Sequence, residues 1–88
     1  MKIPKEVKVG GRVYLVEIVD RINDKNDLGE SVHSKLTIKI LKGKQTSMEE
    51  IFLHEILHCI NGNWNEEFVC GLSGQIHALI SDNPKVFK

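Results

Sequence analysis

Apolar and polar residues alternate in the first half of the chain and recur at helical spacing in the second. Lys5 to Val9 is a short alternating segment, and Arg12 to Asp20 is rich in β-branched residues that favour strands. Gly10-Gly11 between them predicts the turn of a β-hairpin. In the second strand Val13, Leu15 and Glu17 share one face. Tyr14, Val16 and Ile18 share the other, which is the face expected to be buried. Arg21 to Gly29 reads as a polar, turn-forming loop. Its aspartates lack the glycine and glutamate spacing of an EF-hand, so a solvated loop is expected. Glu30 to His33 and Lys35 to Leu41 predict two more strands, the second with Leu36, Ile38 and Ile40 alternating with Thr37 and Lys39. Lys42 to Thr46 is a basic connection.

The pattern then changes period. Ser47 with Glu50 has the form of a capping box, and Gly62 is a stop signal, predicting a helix between them. Leu53, Ile56, Leu57 and Ile60 form its apolar stripe. Asn63 to Ser81 predicts a second helix ended by Asp82-Asn83-Pro84, with Val69, Leu72, Ile76, Leu79 and Ile80 buried. Gly71 and Gly74 weaken this helix but are expected to permit close packing. The short link Asn61 to Asn65 folds the two helices into a hairpin. The expected fold is α+β, a small antiparallel or mixed sheet of three to four strands followed by two helices, in a single domain over residues 1–88.

Composition narrows the function. Twelve basic and twelve acidic residues give a formal net charge of zero, which argues against an electrostatic nucleic-acid or membrane binder. No apolar run is long enough to span a membrane, and the N-terminus lacks a signal core. A cytoplasmic location is expected. Two cysteines, Cys59 and Cys70, form no C-x-x-C pair and read as free thiols.

The first helix carries the candidate chemistry. His54-Glu55-Ile56-Leu57-His58 matches H-E-x-x-H. Histidines four apart lie on one face of a helix and can reach one metal ion. Glu55, rotated by about 100° from His54, stands beside such an ion as a base for water. A catalytic zinc site needs a third protein ligand. Candidates are Glu66, Glu67, Cys70, His77, Asp82 and His33. Glu66 and Glu67 begin the second helix, where the hairpin brings them near His58. Glu66 flanks the buried stripe whereas Glu67 faces water, so Glu66 is the preferred ligand, with Cys70 one turn later as a fallback. Asn63 with Glu66 also fits a capping box, a rival role for that glutamate. His77 lies about 16 Å beyond Glu66 along the helix and is expected at the surface. His33, in or beside a strand, could meet substrate but is more simply read as exposed.

With these residues the chain resembles the zincin metallopeptidases, and among them the gluzincins, whose third ligand is a glutamate of a following helix. Asn65-Glu66 is similar to the Asn-Glu pair of thermolysin-like enzymes. The stretches Leu28-Gly29-Glu30, Leu53 to His58, Asn65 to Val69 and Asp82-Asn83-Pro84 together resemble small phage and prophage proteins related to ImmA/IrrE-type metallo-endopeptidases. Two features depart from the pattern. Only seven residues separate His58 from Glu66, and no helix precedes the strands to back the sheet. A second copy or another partner is therefore a candidate to cover the free sheet face.

The resemblance implies Zn²⁺ held by His54, His58 and Glu66, with Glu55 as general base in hydrolysis of a peptide or protein substrate. A strand near Glu30 to His33 would pair with that peptide, and His33 and Tyr14 are candidates to stabilise the oxyanion. The rival from another class is a catalytically silent, metal-stabilised module that binds a host protein. A third is a hydrolase of a non-peptide substrate.

Overall fold

Gly10 and Gly11 take φ values of 59° and 80°, the left-handed region that a two-residue hairpin turn needs at both central positions. In the computed structural model, which describes residues 1–22 and 28–87, they join β1 (Glu6–Val9) to β2 (Arg12–Val19) as an antiparallel pair with Val9 opposite Arg12. The expected hairpin is present. Most of the polar loop between Arg21 and Gly29 lies outside the described residues.

β3 (Gly29–Val32) and β4 (Thr37–Leu41) pair antiparallel, and β4 also pairs in parallel with β2. The sheet is therefore mixed, in the order β1-β2-β4-β3. Between β3 and β4 a 3₁₀ turn spans His33–Lys35, and Leu36 has a φ of 48°. The fourth strand thus starts at Thr37, two residues later than the alternation suggested, because the reversal uses Lys35 and Leu36.

Helix α1 (Gln45–Ile60) starts before Ser47 and ends before Gly62. Lys44 is its N-cap and offers no side-chain bond, so the Ser47–Glu50 capping box does not form. Helix α2 (Glu66–Asp82) starts three residues later than expected. Asn65 is its cap, its side-chain oxygen accepting from Phe68 N–H at 2.8 Å. Such a cap contributes about 1 kcal/mol. This leaves Glu66 free of the capping role that Asn63 suggested for it.

Helix α1 packs against β3 and β4 and, more lightly, β1, and α2 packs against α1. The core is Tyr14, Ile38, Ile40 and Phe52, with Met48, Ile51, Ile56 and Cys59 of α1 packed around it. Full burial of side chains such as Ile38, Ile40 and Val69 stabilises by about 1.5–3 kcal/mol each. Tyr14 marks the buried face of β2, as the alternation implied. Ile18 on that face is nevertheless exposed, as are Val13 and Leu15 on the other.

The stripes are less simple than the sequence implied. Phe52 is buried and was not in the expected stripe, while Ile60 is exposed. In α2 the buried line is Val69, Ser73 and His77, and Leu79 is exposed. A side chain at Gly71 or Gly74 would meet nothing within 4 Å, so neither glycine is required for packing. Among the described residues no helix is long and apolar enough to cross a membrane.

Candidate metal centre

Helical spacing stacks His54 and His58, whose Nε2 atoms lie 3.1 Å apart with the rings edge to face. The hairpin then delivers Glu66, the first residue of α2. Its Oε1 is 2.6 Å from His54 Nε2 and its Oε2 is 2.9 Å from His58 Nε2. The histidines are largely buried, whereas the Glu66 side chain is 70% exposed. Among the described residues one group of three potential metal ligands converges, and it is His54, His58 and Glu66.

The donor set fits zinc. Bonds of about 2.0–2.1 Å at tetrahedral angles separate donors by about 3.3–3.4 Å. The observed separations of 3.1, 2.9 and 2.6 Å are shorter, so the Glu66 carboxylate, on its exposed side chain, must draw back by about 1 Å or slightly less to admit the ion. Two imidazole nitrogens and a carboxylate are also the chemistry that zinc accepts in catalytic sites. In the absence of an ion, the same Glu66 carboxylate can accept an N–H from each ring.

Glu55 is buried beside this group. Ser31 Oγ on β3 donates to Glu55 Oε1 at 2.7 Å. Burial pushes the Glu55 carboxyl above its ordinary value, opposed by the Ser31 hydrogen bond and by the two histidines. A raised carboxyl is closer to the poise that a general base needs near neutral pH. Behind Ser31, burial also raises the Cys59 thiol, while hydrogen bonds with Ser31 and Tyr14 lower it.

β3 can approach α1 this closely because residue 29 is glycine. A Cβ there would stand 2.5 Å from Ile51 Cγ2 and 2.9 Å from Glu55 Oε2. Ser31 was missed in the sequence, where a lone strand serine carries no pattern, and Gly29 was noted only within the Leu28-Gly29-Glu30 stretch, not for this close approach.

The other candidates lie elsewhere. Glu67 is exposed and outside the converging group. Cys70 Sγ is 3.7 Å from His54 Nδ1, on the far side of the ring from Nε2. Asp82 is exposed at the end of α2. Tyr14 is a core residue and does not line the cleft. His33 lies in the 3₁₀ turn after β3, and its side chain is outside the described residues.

His77 is the clear correction. It is buried, not at the surface, with Nε2 2.8 Å from Glu49 Oε1. A carboxylate oxygen accepts, so this nitrogen carries the proton. The bond and Gln45 hold the Glu49 carboxyl below its ordinary value. An acid on α1 offsets the cost of burying an imidazole on α2.

Compared with known proteins, the chain matches no family model, no curated protein and no solved structure.

Proposed function

We propose that the protein is a zinc-dependent peptidase of the gluzincin type. The observation that carries this reading is the convergence of His54, His58 and Glu66 within 2.6–3.1 Å, with Glu55 buried alongside. Zinc bound there would supply a Lewis acid for the scissile carbonyl and for activation of a water. Glu55 takes the proton of the attacking water and passes it to the leaving amine. His54, His58 and Glu66 would hold the ion. β3 is an edge strand flanking α1, which supports antiparallel or parallel addition of an extended peptide through backbone hydrogen bonds. Two free thiols suit a reducing, cytoplasmic setting. The motif resemblance supports a phage-type origin and a protein substrate, with no role for nucleic acid or membrane.

One observation favours a second reading. Tyr14 is enclosed in the core, leaving the oxyanion without that donor, and a silent metal-stabilised binding module needs none. Zinc analysis and peptide cleavage separate the possibilities. Protein purified without added metal is expected to hold about one zinc per chain, lost in Glu66→Ala. Glu55→Gln is expected to keep the zinc and lose turnover by two orders of magnitude or more, on the order of a removed general base. No zinc in the wild type refutes the metal reading. Zinc without cleavage of any peptide leaves the binding module and the hydrolase of a non-peptide substrate.

A further inference from the structure

The cleft does not end at the three ligands. A cavity of about 350 Å³ continues along α1 toward its N-terminus, past Ile51 and Glu50, with Leu28 and Ser73 on other walls. Glu50 precedes His54 by four residues. It lies on the same helical face, about 6 Å along the axis. A group bound at Glu50 would therefore sit about one helical turn from a carbonyl held at His54, His58 and Glu66.

Glu50 is available for such a group. Its side chain is 51% exposed. Its recorded ion pair is with His77 Nδ1 at 3.6 Å, too long for a hydrogen bond, and His77 commits its Nε2–H to Glu49. No lysine or arginine lines the cavity among the described residues. Glu66 faces the two imidazoles, and Glu55 has the proton transfer to perform. Glu50 is the remaining carboxylate of the cavity, and the proposed chemistry gives it nothing to do. Leu28 and Ile51 add apolar wall beside it.

We infer that Glu50 is a specificity-determining residue. It receives a cationic group of the substrate, an ammonium or guanidinium, about one helical turn from the scissile bond. This rests on the peptidase reading and names the substrate class for the same site. A basic side chain and the free N-terminal amine of a peptide both supply that chemistry.

The test is direct binding of three hydroxamates to the zinc-loaded full chain, wild type beside Glu50→Gln, by calorimetry. The hydroxamate anchors on zinc, so turnover is not required. Nα-acetyl-norleucine hydroxamate has no cation, Nα-acetyl-lysine hydroxamate only the side-chain ammonium, and norleucine hydroxamate only the α-amine. At least one cationic ligand is expected to bind the wild type about five- to tenfold more tightly than the neutral one, a modest ratio because Glu50 is half-exposed. The favoured ligand identifies the source of the cation. Glu50→Gln should abolish the preference while keeping zinc content and melting temperature, and Glu50→Asp should restore part of it. Equal affinities in the wild type, or a preference surviving in Glu50→Gln, overturn the inference alone. Failure of all three to bind overturns the open-zinc reading, and the inference with it.

Discussion

Glu55 presents its two carboxylate oxygens to different neighbours. Oε1 accepts from Ser31 Oγ, while Oε2 lies where any side chain at residue 29 would intrude. The Ser31 hydroxyl therefore fixes the rotation of the proposed base. Ser31→Ala is expected to lower kcat about tenfold or more at unchanged zinc content, because a freely turning carboxylate is less often in line with the water. Ser31→Thr keeps the hydroxyl in a strand-compatible residue and should recover most of the loss. An alanine variant with full kcat would remove Ser31 from the machinery. Sequence reasoning found Glu55 because H-E-x-x-H is a local pattern fixed by helical periodicity. It could not find Ser31, 24 residues away, whose relevance depends on which strand lies against α1. Glu66 stands between these cases. Hairpin topology and helical phase singled it out, and Asn65 takes the cap that the Asn63–Glu66 pattern had offered as a rival role.

At the level of elements, α1 has two partners. Met48, Phe52, Ile56 and Cys59 face the sheet core, whereas Glu49, His54 and His58 reach residues of α2. A single apolar stripe cannot describe a helix buried on two sides, which is why Phe52 escaped the pattern and Ile60 was wrongly included. Polar residues at buried positions mislead the reading further, and His77 read as surface for that reason. The Glu49–His77 contact has a pH signature of defined sign. Glu49 is held below its usual value of 4.5 by His77 first and Gln45 second. Its stabilisation is thus present above about 4.5 and is lost as pH falls through the lower folded-state value. Melting curves should show wild type ahead of Glu49→Gln near neutrality, with the gap closing in acid. A gap constant across that range would mean that the carboxylate's charge is not what joins the helices.

For the molecule as a whole, alternation in the strands and the change of period at residue 47 were enough to anticipate a sheet followed by a helical hairpin. The parallel β2–β4 pairing was not legible, since strand order depends on long-range docking rather than local pattern. Among the described residues α1 covers one face of the sheet, and Val13 and Leu15 of β2 lie exposed on the other. Ile38→Ala should cost about 2–5 kcal/mol in urea denaturation, and Leu15→Ala no more than about 0.5. A comparable cost at Leu15 would mean that a second copy or another partner covers the open face in solution. The separation of local from distant contacts also bears on the order of assembly. All three proposed ligands lie within one helical hairpin, between His54 and Glu66, whereas Ser31 joins Glu55 only once β3 has docked on α1. Short loops close before long ones at lower entropic cost. During folding the helical hairpin can thus bring His54, His58 and Glu66 together over a short loop, whereas the Ser31–Glu55 contact waits for β3 to dock on α1.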